Sequence, residues 1–191
     1  MAYDLKNVFY LSTSADITAA TAGGVGSAQL DLSAYIDPIA RGRTKGTGLA
    51  IYKVHFHMQD DGENGPIDDA EAGTMQYGIV AGAGLGDIAT TTGTTFAANT
   101  FGATNALLVA SEQFFGPKSM VANASTTPNM IVPGMKPSIE VPYVVVRDNV
   151  CLQYQIGDAI TANSTLSVRL ECAQVTLDQA TLNQLLRTQT V

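Results

Sequence analysis

One stretch constrains the fold more than any other. Residues 49–59 (LAIYKVHFHMQ) alternate apolar and polar side chains over most of their length. Ala50, Tyr52, Val54, Phe56 and Met58 fall on one face. Lys53, His55, His57 and Gln59 fall on the other, after Leu49 and Ile51. A repeat of two is that of a β-strand with one buried and one wet face. Residues 150–156 behave alike, with Cys151, Gln153 and Gln155 alternating with Leu152, Tyr154 and Ile156, and so do residues 165–177 (TLSVRLECAQVTL). Residues 29–36 (QLDLSAYI) alternate at their start and stop at Asp37-Pro38, and residues 75–80 read as another strand. The valine-rich segment 139–146 is interrupted by Pro142, which suits an edge or a strand start. Residues 104–115 have a spacing that fits a short helix as well as a strand. Only after Leu177 does the period change: Leu182, Leu185 and Leu186 share one helical face, and Asp178 stands where an N-cap belongs.

Between these runs lie Gly-, Ala-, Thr- and Pro-rich connections. Residues 5–11 are mildly apolar and read as an extended arm. Residues 14–26, 82–95 and 123–136 show little periodicity and read as loops. Six to eight strands without interleaved helices predict an antiparallel sandwich. The 191-residue length and the long loops favour a jelly roll over an immunoglobulin-like domain, which needs only about 100 residues. The expected fold is therefore all-β: a single jelly-roll β-sandwich of about eight antiparallel strands, with long loops and a short C-terminal helix. Its expected divisions are residues 1–26 as an N-terminal arm, 27–177 as the jelly roll, and 178–191 as the helix and tail.

Charge bears on partners. Only 14% of residues are charged, and the net charge is −7. A surface so poor in charge suits subunit contacts, whose buried centres are depleted in charged residues. The acidic balance argues against nucleic acid, since phosphate binding relies on Lys and Arg. Only Lys6 precedes Arg41, so there is no basic N-terminal arm; Arg41, Arg43 and Lys45 read as a solvated turn. Residues 1–12 lack the charged start and apolar run of a secretion signal, which leads us to expect synthesis in the cytoplasm. No window approaches 18 uninterrupted apolar residues, the length that would suggest a membrane-spanning helix. The two cysteines, Cys151 and Cys172, lie in alternating apolar runs and read as small buried hydrophobes, with a bridge between them left open.

Convergent chemistry is sparse. His55 and His57, the only histidines, lie about 7 Å apart along one strand face, a spacing that suits metal ligation as in cupins. No further histidine completes the three or four ligands a site needs. There is no G-x-S-x-G elbow and no Walker A loop. The chain is accordingly expected not to be an enzyme and to carry no cofactor, with calcium as the one exception to consider. Residues 60–71 (DDGENGPIDDAE) resemble an EF-hand loop, with Asp60, Asn64, Asp68 and Glu71 as ligands and Gly65 at the sharp turn. Gly62 occupies a ligand position, and the flanks read as strands rather than helices, so a solvated acidic loop is the competing reading. Sugar platforms rely on exposed aromatic rings, above all Trp, and the chain has no Trp.

The overall plan nonetheless resembles a known family. A strand ending at Asp37-Pro38 precedes the long strand LAIYKVHFHMQ, Thr/Ala/Gly-rich loops follow, and Val168-Arg169-Leu170-Glu171-Cys172 lies in a late alternating strand. This resembles the single jelly-roll major capsid proteins of tailless icosahedral viruses, particularly the membrane-containing viruses of archaea and bacteria. The resemblance implies a structural subunit located in the virion. It implies assembly with copies of itself or a sister capsid protein around an internal membrane and double-stranded DNA, without direct contact to the nucleic acid. Contacts are then expected from the N-terminal arm (Tyr3, Leu5, Val8, Phe9) and the terminal helix (Leu182, Leu185, Leu186). A calcium- or carbohydrate-binding sandwich module of a surface or adhesive protein is the alternative.

Overall fold

The computed structural model describes residues 8–18, 22–37, 45–61, 67, 73–82, 100–116 and 130–189. Its strands are β1 (Phe9–Ile17), β2 (Val25–Asp31), β3 (Lys45–Asp60), β4 (Thr74–Ala81), β5 (Leu108–Phe115), β6 (Met130–Pro133), β7 (Tyr143–Val145), β8 (Asn149–Ile156) and β9 (Ser164–Asp178). A helix, α1 (Gln179–Thr188), follows β9 directly.

Two antiparallel sheets face each other. Sheet A has the order β1-β9-β3-β7, and sheet B the order β2-β8-β4-β5-β6. The pairing is nested: β1 with β9, β2 with β8, β3 with β7, and β4 with β5. Nested pairs of this kind are one long hairpin rolled over on itself, which is the jelly roll. β6 adds a short further strand outside β5. The core between the sheets contains Leu49, Ile51 and Val54 of β3, Tyr77 and Ile79 of β4, Leu152 and Ile156 of β8, and Leu166, Val168, Leu170 and Cys172 of β9.

Several expectations are corrected. Residues 9–17, expected as arm and loop, form an edge strand of sheet A and so belong to the sandwich. Phe9, Leu11, Ala15 and Ile17 pack toward the core, while Tyr10, Ser12, Ser14 and Asp16 face out. Small residues at Thr13 and Ala15 hid this alternation. β2 begins at Val25 and ends at Asp31, short of the expected residue 36, because the chain turns at 33–35. Residues 108–115 are strand, settling the ambiguity of that segment. Of residues 139–146 only Tyr143–Val145 pairs, after Pro142. Within the segment read as a loop over 123–136, Met130–Pro133 pairs with β5.

The single-face reading of β3 also fails. The register with β9 shifts between Ile51 and Lys53, so Tyr52 is an inserted bulge residue. Leu49 and Ile51 point into the core before the bulge, and Val54, Phe56 and Met58 after it. Ala50 faces outward, into a second cluster formed with Val144, Val146, Val175, Leu177 and Leu182. That cluster lies beneath α1. Asp178 caps the helix by accepting a hydrogen bond from Thr181 N at 2.7 Å, and this bond holds its carboxyl below the usual value. Gly46 and Gly48 lie under the same leucines. A Cβ on Gly46 would sit 2.8 Å from Leu182 Cδ2, so the absence of a side chain there lets the helix lie close, while one on Gly48 would sit 2.9 Å from Leu177 Cδ1 of β9. Cys151 and Cys172 are separate, buried free thiols in different sheets.

Candidate functional site

The residues singled out from the sequence scatter over several places. Asp60 ends β3 opposite Ser164, and the carboxylate of the adjacent Asp61 accepts a hydrogen bond from Thr165 Oγ1. Ile67 is buried in the core. Asn64, Asp68 and Glu71, the other three candidate calcium ligands, lie outside the described residues, as does Gly65. Tyr3 and Leu5 of the expected contact arm also lie outside them. Val8 is exposed, whereas Phe9 stacks on Tyr35 of its own chain with ring centroids 5.0 Å apart. Leu182 is buried against its own sheet, with Leu185 and Leu186 half-buried beside it, so the leucine face of α1 packs within the chain.

Beyond the Tyr52 bulge the outer face of sheet A turns polar. Registers bring Tyr10 and Ser12 of β1, Glu171, Arg169 and Ser167 of β9, and His55 and His57 of β3 onto three adjoining strands. They line a shallow depression of about 730 Å³. Its polar groups contact each other: His55 Nε2 lies 2.8 Å from Glu171 Oε1, and the Arg169 guanidinium sits 5.8 Å from the centre of the Tyr10 ring. No group of three or more His, Cys, Asp or Glu side chains able to hold a metal occurs among the described residues.

The opposite edge of the molecule is apolar. Among the described residues, six of the eight large exposed hydrophobics fall between 130 and 141: Met130, Ile131, Val132, Met135, Ile139 and Val141. Ile139 and Val141 are 67% and 73% exposed, more than any other large apolar side chain described. The backbone that displays them is held in place. Gly134 N donates to Ser111 O and Ser111 N donates to Met135 O, both at 2.9 Å. A Cβ on Gly134 would meet Ser111 Oγ at 2.4 Å, so only glycine admits this approach. Next to it, Lys136 Nζ binds Glu112 Oε1. Glu112 is itself buried and accepts a second hydrogen bond from Tyr77 at 2.9 Å. Burial and this neighbouring carboxylate push the Tyr77 phenol far up. Ser138 closes the turn, donating its N–H to Val141 O and accepting Val141 N–H on its hydroxyl. Pro137 and Pro142 flank that turn.

The ridge from 130 to 141 was not anticipated, because its apolar residues have no period and stand among prolines. The only signal was compositional: Met-Ile-Val-Pro carries no charge of the kind that normally blunts a strand edge, and Ile-Glu-Val-Pro carries only Glu140. No protein-family model matches the chain, and no curated protein matches it.

Proposed function

We propose that this chain is a structural subunit of an icosahedral virus shell, self-assembling alone or with a sister capsid protein into capsomers. The observation that carries the proposal is the apolar ridge 130–141 on an outer edge of a jelly roll poor in charge. Soluble proteins guard sheet edges with charge, bulges or covering elements, or keep them short and end them in Pro; β6 has only the last two of these, being four residues long and ending at Pro133. It presents Met130, Ile131, Val132 and Pro133, with every side chain exposed. An ordered backbone that already holds its apolar side chains outward loses little freedom on contact, which favours association. A specific contact covers about 800 Å² on each partner, and the ridge is placed to form the centre of one.

In this reading the work of the molecule is assembly, its location is the virion, and it neither catalyses a reaction nor touches the genome. The acidic net charge agrees with the last point. Any internal membrane would be met by the assembled shell.

Sedimentation and electron microscopy of the purified chain test the proposal, alone and mixed with any sister capsid protein. Rings or shells are expected. Ile139→Asp combined with Val141→Asp should leave a folded protein, since exposed positions change stability by about 0.5 kcal/mol or less, while assembly disappears. A wild-type chain that stays monomeric at high concentration, with no sister partner, would sink the proposal.

A further inference from the structure

The outer face of sheet B carries a row of amides that strand pairing alone reveals. Gln155 of β8 pairs with Gln76 of β4, which pairs with Gln113 of β5. Val25 of β2 and Val132 of β6 close the two ends of the row. Their sequence neighbours Met75, Tyr77, Phe114 and Ile156 point into the core, so all three glutamines face outward. Adjacent strands lie about 4.8 Å apart, so the three amides form a ladder across roughly 10 Å.

Two depressions flank the row and share Gln76 and Gln113. One, of about 310 Å³, also takes in Thr74, Phe115 and Gln155. The other, of about 230 Å³, reaches Phe101 and Ser111 and is bounded by Val132, Pro133 and Met135 of the ridge. Among the described residues, no charged side chain lines either one. The three glutamines are half-buried, yet none of their side-chain amides has a hydrogen-bond partner among the described residues. A ligand reaching the row would exchange the amides' contacts with water for direct hydrogen bonds.

The geometry points to a binding trough for a neutral oligosaccharide. Each amide offers two donors and a carbonyl acceptor, which matches the mixed donor and acceptor character of adjacent sugar hydroxyls. The Thr74 hydroxyl is already bonded to Asp158 and Ser111 is buried, so the amides supply the polar set, and the Phe115 ring supplies an apolar surface for a sugar C–H face. A charged ligand would find no counter-charge among the described lining residues. A peptide strand needs a sheet edge for backbone pairing, and this row lies on a face. The absence of Trp removes an aromatic platform but leaves amide recognition intact. The inference stands apart from the capsid proposal, because the glutamine row and the larger depression lie on sheet B's outer face, and only the smaller depression borders the ridge.

Saturation-transfer NMR observes the sugar, so it works whether or not the chain assembles. The full chain is tested against neutral oligosaccharides of hexose, pentose and N-acetylhexosamine. Transfer to at least one of them is expected, strongest at ring C–H protons. Gln76→Ala should weaken that binding about fivefold, the effect of losing a neutral hydrogen-bond group. His57→Ala, on the other sheet, should leave it unchanged. Absence of transfer from every sugar overturns the inference, as does transfer that ignores Gln76→Ala or is lost in His57→Ala. If Gln76→Ala instead abolishes self-association and no sugar binds, the row belongs to a contact between copies and the inference fails.

Discussion

Truncating Leu182 separates two roles that helix α1 was open to. Its leucines could serve a neighbour's surface or the helix's own sheet, and Leu182 is 1% exposed within the chain. Leu182→Ala removes three carbon groups from a buried site, a loss of about 2.4 kcal/mol from transfer alone. The cavity left behind adds to this, and buried Leu→Ala changes span about 2–5 kcal/mol. Here Leu185 and Leu186 are only half-buried at the margin of the cluster and can close on the vacated space. The total should stay at the low end, about 2.5–3 kcal/mol. For a domain of this size that lowers the melting temperature by about 5–12 °C. Urea denaturation and calorimetry measure both. The close contact at Gly46 supplies an internal check. Gly46→Ala drives a Cβ to 2.8 Å from Leu182 Cδ2, with Asp37 O at 3.1 Å. Once Leu182 is alanine the first contact vanishes, so the double variant should be more stable than the sum of the two losses predicts, by about 0.5 kcal/mol or more. Strict additivity, or Leu182→Ala leaving stability unchanged while blocking assembly, would refute the placement of the helix on its own sheet.

Two further changes probe the interior. Tyr77→Phe leaves the buried Glu112 Oε2 without its donor and should cost about 1.5–3 kcal/mol, read from the denaturation midpoint; an unchanged midpoint would mean that water replaces the phenol. The thiols predict a pH dependence. Burial pushes Cys151 up to about 11 and Cys172 up to about 12. Because the folded values lie above an ordinary thiol's, about 8.5, their contribution is full below that pH and is lost as pH rises toward the folded values. Denaturation midpoints should fall between pH 8 and pH 10.5, and fall less in the Cys151→Ala, Cys172→Ala double variant, in which buried tyrosines still titrate. Equal slopes would show that the thiols are already open to solvent, and so would alkylation of the native protein at pH 8.

The sandwich was legible because its strands are long and covered on one side. Residues 150–156 and 165–177 declare themselves by alternation, since a slip of one residue would turn every apolar side chain to water. β1 was missed because Ala15, Ser12 and Ser14 carry too little contrast in hydropathy to mark a face. β6 was missed because four exposed residues have no inside to point toward. The glutamine row was invisible for another reason. Gln76, Gln113 and Gln155 lie far apart in sequence, and only antiparallel register places them side by side. Properties of a single strand can be read along the chain; properties of a sheet face require the pairing.

β3 shows how a regular pattern misleads when a strand serves two neighbours. Read at face value, Ala50, Tyr52, Val54, Phe56 and Met58 form one side of a single strand. An unbroken strand on that plan would put Leu49 and Ile51 in water at the sheet's outer face, away from the core they occupy. An unbroken strand that kept Leu49 and Ile51 inside would drive Lys53, His55 and His57 into the core, at a prohibitive cost in buried charge and unpaired polar groups. One inserted residue at Tyr52 resolves the conflict by exchanging the faces midway. Before it, Gly46 lies directly under Leu182 of α1, and Ala50 joins the apolar cluster beneath the helix. After it, the outer face opens to water and its histidines meet β9. β9 answers without a bulge: its apolar residues shift from Leu166, Val168, Leu170 and Cys172 on the inner face to Ala173, Val175 and Leu177 on the outer. The helix covers only that half of the sheet, so the change of apolar face in both strands marks where its cover begins.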